Sequence, residues 1–316
     1  MTRKRNAIPR NCWAHGSVSI HMKFAALLLL AASPTIAEDA TAIMVRVATN
    51  VEKAVEARRQ YVYQQSVRAS LVRTNGQFAR REKRQYLVIP SATGTEKKLV
   101  SFQGEYRKGK QSVTYQEPLT DNQDAGIDAE LLQDLTEELI NAKDARDGIP
   151  HNLFPLRSVD LPAYAFTMKG ELQHQGRRTY RIAFEPAKKT RDMCVHVSKD
   201  EDNCVNTPWM GEAWIDAAEL EPVRIDTHLA FKVPWAVRTF LGTNLKQTGF
   251  AITYQRVGDG VWFPATYGTE FQLDVLFFYK RTIAMNLESS GFQKTDATSK
   301  IEYDLGVGGH VEKGNP

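Results

Sequence analysis

The side chains that most often carry catalysis are scattered along this sequence. Five histidines follow residue 37, namely His151, His174, His196, His228 and His310. None stands at a recognised metal-binding spacing from another histidine, a cysteine or a glutamate. The sequence also contains no G-x-S-x-G turn and no Walker-type phosphate loop. We therefore expect no enzyme activity, no metal site and no cofactor.

Paired carboxylates leave one catalytic alternative open. Asp216 and Asp226 lie on neighbouring predicted strands, where their side chains could face each other. Trp214 and Trp262 could supply an aromatic surface for a sugar, and the set would then suit a hydrolase. All four are equally compatible with ordinary strand positions, so a hydrolase is the minor alternative.

The cysteines indicate an oxidising compartment. Cys194 and Cys204 are separated by nine residues, with the turn-like stretch 199–203 between them. A hairpin there would bring the two thiols together, and a disulfide closing so short a loop would contribute about 2–3 kcal/mol. The alternatives are two unpaired thiols or a metal site that includes His196.

The beginning of the chain has the features of an export signal. Met22-Lys23 is followed by an apolar run from Ala25 to Ala32 and by small residues up to Ala37. We therefore expect residues 1–37 to be a leader and signal peptide, with Met22 as a possible true start, and the protein to be periplasmic. The apolar run is too short for a transmembrane anchor, which needs about 20 residues. We expect residues 38–300 to form a single domain and residues 301–316 a flexible tail.

The charge of the chain is concentrated in that leader. The whole sequence has a net charge of +4, but five of its 41 basic residues and none of its 37 acidic residues precede Ala37. Without the leader, 36 basic residues face 37 acidic ones. The expected domain thus has no general attraction for nucleic acid or for a membrane surface.

Hydrophobic periodicity predicts two helices and a large sheet. Apolar residues recur every four positions over 41–59 and 127–142, in the series Ile43, Val47, Val51, Val55 and Ile127, Leu131, Leu135, Leu139. From residue 61 the period changes to two, with turn signals such as Asn75-Gly76 between the runs. The pattern predicts an α+β, mainly antiparallel β fold in which ten or eleven sequential strands form one curved meander.

One connection breaks this alternation. Residues 232–246 are strongly apolar for a loop and include Trp235, Val237, Phe240 and Leu241. A loop of this length and composition is either a lid over a binding site or a cap on the core. The long strand that follows carries Phe263, Tyr267 and Phe271 in one alternating series, so these rings are candidates for the lining of a cavity.

The second half resembles a known family in its element order. A hairpin is followed by Gly211-Glu-Ala-Trp-Ile-Asp216 and Glu221-Pro-Val-Arg-Ile-Asp226, then by Gly249-Phe-Ala-Ile-Thr-Tyr254 and Gly260-Val-Trp-Phe-Pro-Ala265. Together with the helix at 41–59, this order resembles the LolA/LolB-like periplasmic lipoprotein carriers and the outer-membrane lipoprotein-sorting proteins. The resemblance implies an unclosed, curved half-barrel whose helices cover the concave face.

The same resemblance implies a function. In such proteins an apolar cavity between sheet and helices holds acyl chains, so we expect a periplasmic carrier or sensor whose partners are lipid or lipoprotein acyl chains. The alternative is a non-catalytic interaction module of the cell envelope, with a filled core and an envelope protein as its partner.

Overall fold

The first helix, α1, forms where the four-residue period predicts it. In the computed structural model it spans Ala40–Arg58, and the Asp39 carboxylate accepts a hydrogen bond from the Thr41 N–H at its start. Its buried side is formed by Ile43, Met44, Val47, Ala48 and Val51, which pack into the main core. The helix ends at Arg58, two residues before the first strand begins.

The structure describes residues 39–90, 94–118, 126–140, 145–187, 209–230, 244–246, 248–275 and 278–295. The leader, Cys194, Cys204 and the tail 301–316 lie outside these ranges, so the predictions made for them stay predictions. Trp235, Val237, Phe240 and Leu241 lie outside them too.

Within these described ranges, twelve strands follow α1, with a second helix, α2 (Ile127–Ile140), between the fourth and fifth. The strands are β1 (Tyr61–Val72), β2 (Phe78–Pro90), β3 (Thr95–Lys108), β4 (Gln111–Tyr115), β5 (Tyr164–His174), β6 (Arg177–Pro186), β7 (Trp209–Asp216), β8 (Pro222–Leu229), β9 (Asn244–Lys246), β10 (Phe250–Val257), β11 (Val261–Val275) and β12 (Tyr279–Lys294).

All twelve strands belong to one sheet. Its order is β4-β3-β2-β1-β12-β11-β10-β8-β7-β6-β5, and the short strand β9 pairs with the far end of β11. Every pair is antiparallel, and the order ends at β4 on one side and β5 on the other rather than closing on itself. The expected class, a mainly antiparallel and unclosed half-barrel with helices, is confirmed.

The prediction of one sequential meander is wrong at two places, the short strand β9, which pairs with β11, and the step from β4 to β5. Strands β1 to β4 form one meander and β5 to β12 form another, but the two meet where β1 pairs with β12. This pairing joins Val72 to Thr282 and Val62 to Gln293. Local turn signals do not encode a contact between positions so far apart in sequence.

Both helices pack on the same face of the sheet, which we call the helix-facing face. Helix α1 contacts β11 and β5, and α2 contacts β1 and β2. The predicted apolar side of α2 is rotated relative to the observed one, because Ala129, Leu132, Thr136 and Leu139 are buried whereas Ile127 is 60% exposed. Leu131 and Leu135 are only partly buried. The apolar stripe of α2 is therefore wider than the area that the sheet covers.

No helix among the described residues is both long and apolar enough to cross a bilayer.

Candidate functional site

An irregularity in β11 decides which of its rings face the helices. Thr253 of β10 lies opposite Thr266, but Tyr254 lies opposite Pro264, so Ala265 is an extra residue in β11. Such a β-bulge interrupts the alternation of side chains between the two faces. As a result, Tyr267 and Phe271 pack against the main core, whereas Phe263 belongs to a second cluster. The sequence had placed all three rings in one series.

Tyr267 is part of a row of aromatic side chains on the helix-facing face. The rings of Tyr267 and Phe250 are stacked with centroids 5.5 Å apart, and the Trp209 ring meets Phe250 edge-on at 4.8 Å. Phe250 and Tyr267 lie on the neighbouring strands β10 and β11, whereas the Trp209–Phe250 contact spans β8, which lies between β7 and β10. Burial raises the pKa of Tyr267 to about 12, against the opposing effect of its hydrogen bond with Thr269.

The row continues along β11 towards α2. Phe271 and Leu273 of β11, like Leu131 and Leu135 of α2, are partly buried against the main core. We call the set formed by Trp209, Phe250, Tyr267, Phe271, Leu273, Leu131 and Leu135 the apolar strip. Most of its members keep part of their side chain accessible, so the strip can accept further apolar contact.

An exposed apolar rim lies at the α2 end of the apolar strip. Phe278 is 77% exposed and Ile127 is 60% exposed. The residues that follow them in the sequence, Tyr279 and Asp128, are hydrogen-bonded to each other: the Tyr279 hydroxyl donates to Asp128 Oδ1 at 2.6 Å. Arg281 Nε donates to the same oxygen at 2.8 Å. Large exposed apolar side chains that cluster are typical of a contact surface.

The Asp128 network fixes the rim electrostatically. Burial would raise the pKa of Asp128, but the hydrogen bonds from Arg281 and Tyr279 outweigh burial and hold that pKa below its ordinary value. Asp128 therefore stays ionised at neutral pH, and it ties the start of α2 to the start of β12.

The apolar connection predicted from the sequence leaves and re-enters the fold beside the apolar strip. Leu229, at the end of β8, lies opposite Trp209 in the sheet register. At the other end of the connection, Leu245 of β9 lies opposite Leu273 of β11. The described ends of the connection thus flank the strip.

Phe263 contributes to a different structure. Its ring meets Phe292 at 4.5 Å, Tyr61 at 5.4 Å and Tyr63 at 5.8 Å. These rings and Val88 form the second cluster, which we call the aromatic plug, at the end of the sheet where the β11–β12 register stops at Thr266 and Glu288. Phe263 is 1% exposed, so it fills the core.

The carboxylates of the hydrolase alternative do not form a pair. Asp216 is 1% exposed, and it is bonded to Arg177 and to the N–H groups of Ala218 and Glu219. Asp226 is bonded instead to Arg224. Within the ranges that the structure describes, no group of three His, Cys, Asp or Glu side chains is placed to hold a metal ion.

The sequence reasoning missed Trp209, Phe250, Leu131 and Leu135 as members of the site. Phe250 was predicted to be a strand residue, but its contact with Tyr267 depends on the register between β10 and β11. Leu131 and Leu135 were assigned to the buried side of α2. The feature of the sequence that points to them is the width of the apolar stripe of α2, since Ala129, Leu132 and Leu139 form a second apolar series on the same helix.

Three solved structures are similar to this chain over most of its length. A DUF1329 family protein from Desulfovibrio piger is 11% identical over 83% of this chain and 95% of that one, with a TM-score of 0.34. A putative outer membrane lipoprotein-sorting protein domain from Vibrio parahaemolyticus is 10% identical over 83% and 97%, with a TM-score of 0.31. A LolA superfamily protein from Nitrosomonas europaea is 12% identical over 79% and 94%, with a TM-score of 0.31.

No family model matches the chain, and no curated protein matches it by sequence. The function proposed below is therefore argued from the side chains of this chain.

Proposed function

We propose that the protein is a carrier or sensor of the cell envelope that binds an acyl chain of a lipid or lipoprotein along the apolar strip. The observation that carries this proposal is the half-buried state of the strip, next to the exposed Phe278 and Ile127. Most of these side chains keep apolar surface that a ligand could cover.

The energetics suit an acyl ligand. Burying apolar surface stabilises a complex by about 25 cal/mol per Å², or roughly 0.8 kcal/mol for each methylene group. A ligand that covers the strip and the rim therefore gains affinity in proportion to its chain length. Site residues that offer little hydrogen bonding, such as Phe271 and Leu273, would select length rather than a particular head group.

The periplasm is the proposed compartment because of the signal expected at residues 22–37. Cell fractionation of a tagged full-length chain, with the mass of the mature N-terminus, tests both export and the cleavage point.

The direct test is binding of dansyl-undecanoic acid by protein purified without detergent, followed by fluorescence. Phe271→Ala should weaken dye binding about fivefold or more, because it removes a large part of the strip. Phe263→Ala is the matched control on the same strand. It should lower the free energy of unfolding by about 3–5 kcal/mol and leave dye affinity unchanged while the protein is folded.

Two results would contradict the proposal. One is the absence of both dye binding and any acyl ligand in the mass spectrum of the purified protein. The other is equal loss of dye affinity in the two variants.

The apolar connection is proposed to add contacts to the ligand. Trp235→Ala and Phe240→Ala should then reduce dye affinity more than they reduce stability. Equal effects on affinity and stability would favour a plain cap, which is the other interpretation of residues 232–246.

A second candidate is an interaction module with a filled core. It is favoured by the packing beneath α1, where Ile43, Met44 and Val47 are fully buried. This candidate predicts that no acyl ligand is retained and that the protein acts through its surface.

A further inference from the structure

The face of the sheet that points away from the helices, the outer face, carries an unusual pair of cations. Arg68 of β1 and Lys83 of β2 lie directly opposite each other in the strand register. Directly opposed side chains on one face have Cβ atoms only about 5 Å apart, and like charges in such positions repel.

Other arginines of the outer face are paired with carboxylates. Arg181 is bonded to Glu212, Arg224 to Asp226, and Arg81 to Glu105. Within the part of the chain that the structure describes, no ion pair or hydrogen bond joins Arg68 or Lys83 to an acidic side chain. The pair is therefore a local excess of positive charge that the fold does not neutralise.

Two grooves meet at this pair. One has a volume of about 460 Å³ and the other about 310 Å³, and both are lined by Arg68 and Lys83. Amides and hydroxyls contribute to the rest of the lining on the outer face, with Gln103, Asn286 and Ser70 in the larger groove and Gln64, Gln85 and Ser66 in the smaller one. The larger groove is also lined by the ion pair of Arg81 and Glu105, and the smaller one by Glu288.

We propose that these joined grooves bind an extended acidic segment of a partner protein. Carboxylates of the segment would neutralise Arg68 and Lys83. The amides of Gln85, Gln103 and Asn286 can each donate and accept, as the peptide groups of an extended chain require. Neither the neutralisation of charge nor the hydrogen bonding involves the apolar strip, so the inference is independent of the acyl-binding proposal.

The charge distribution of the outer face favours a segment over a membrane surface. The register row that contains Lys83 and Arg68 continues through Asn286, Gly268 and Ala251 to Asp226 and Glu212. The acidic residues at that other end are paired with Arg224 and Arg181, so the positive excess is confined to the end that holds Lys83 and Arg68. A lipid surface needs a broad positive field, whereas a short acidic segment needs a local one.

Glu288 gives the proposal a gain-of-function test. It lies opposite Ser66 and lines the smaller groove, so its carboxylate opposes the binding of an anion. Removing that charge should strengthen binding, a result that damage to the fold cannot produce.

The probe is a fluorescein-labelled peptide of alternating glutamate and serine, titrated with the full chain and followed by anisotropy. Arg68→Gln with Lys83→Gln should weaken binding about tenfold or more, and Glu288→Gln should tighten it about twofold or more. Lys169→Gln removes an exposed cation of β5 on the same face and should leave affinity unchanged. A peptide with lysine in place of glutamate should not bind.

A thermal melt separates this role from a structural one. The double variant should unfold at the same temperature as the original chain or at a higher one, because it removes a repulsion. A lower unfolding temperature, peptide binding that survives the double variant, or no peptide binding at all would overturn the proposal. The proposal would also be overturned if the original chain bound phosphatidylglycerol vesicles instead of the peptide and the double variant lost that vesicle binding. The ligand would then be a lipid surface.

Discussion

Among the single residues of this fold, Arg58 shows how strongly one side chain can hold α1 in place. Its Nε donates to Asp147 at 2.6 Å, and its Nη2 donates to the Val51 carbonyl at 2.9 Å. The two charged side chains are only 6% and 4% exposed. A buried pair of this kind adds little net stability, but its disruption is costly because one charge remains buried alone.

We expect Arg58→Met to lower the free energy of unfolding by about 3–5 kcal/mol, since Asp147 loses its charged partner. Arg146→Met, next to Asp147, is the control. It removes a pair with Glu56 in which the two side chains are 60% and 62% exposed, and it should cost less than about 1 kcal/mol. Urea titration measures both, and equal costs would show that burial does not decide the effect.

Glu221 makes stability depend on pH. Burial raises its pKa to about 7, with Arg58 opposing and Glu219 adding to the rise. Its Oε2 is enclosed without a hydrogen-bond partner among the described residues. Because the folded state holds this proton more tightly than the unfolded state, the contribution is complete below the ordinary pKa of 4.5 and is lost as pH rises through about 7.

The original chain should therefore lose up to about 3 kcal/mol of stability from this group between pH 4.5 and 7.5, and Glu221→Gln should flatten that slope. Asp259→Asn is the control. The hydrogen bond from Lys294 lowers the pKa of Asp259, so its effect belongs to more acidic solutions. Urea midpoints at a series of pH values decide the matter, and a wild-type slope retained in Glu221→Gln would refute the assignment.

Among the elements, β4 is held to the sheet by the contact between a glycine and a ring. A Cβ placed on Gly104 of β3 would lie 2.1 Å from the ring of Tyr115, its partner on β4. The Tyr115 hydroxyl in turn donates to Glu82 Oε1 at 2.6 Å and accepts from Arg80 at 2.9 Å. Glycine is required here because the ring occupies the space of a side chain.

Gly104→Ala should displace Tyr115 and destabilise the protein by about 1–3 kcal/mol through overpacking. Gly126→Ala is the control, because a Cβ there meets nothing within 4 Å. Hydrogen exchange should show faster exchange of the β4 amides in the first variant alone. Unchanged protection of β4 would mean that the ring moves aside without cost.

Elements governed by local signals could be predicted from the sequence. The Asn75-Gly76 turn forms, with Gly76 at a φ of 78° and the Gln77 N–H donating to the Asn75 side chain. The orientation of α2 could not be predicted, because the choice between the Leu131 and Leu132 series depends on the shape of the sheet below. The phase of Phe263 could not be predicted either, since a bulge is a property of two strands in register.

At the scale of the whole molecule, β12 is the element on which the sheet depends. It lies between β1 and β11 and joins the two meanders. The strip residues Tyr267 and Phe271 could be assigned to one side of a strand from the sequence alone. The sheet that surrounds them could not, because the β1–β12 contact is made between the first and the last strand.

A chain that ends at residue 278 should therefore fail to fold, whereas a chain that ends at residue 295 should keep its cooperative unfolding. The first lacks all of β12, whereas the second keeps β12 and lacks residues 296–316, which include the expected flexible tail 301–316. Circular dichroism melts of the two truncated chains provide the measurement. Cooperative unfolding of the shorter chain would show that each meander is stable alone.

The extra residue at Ala265 also has a consequence for how such a chain can diverge. Because it sends Phe263 to the aromatic plug and Tyr267 to the strip, two environments under different selection share one strand. Substitutions on one side of the bulge can accumulate without altering packing on the other. Loss of that single residue would reverse which face of the sheet the side chains on one side of the bulge occupy. We therefore expect related chains to tolerate substitutions at Tyr267 and Phe271 more readily than a deletion between Phe263 and Tyr267.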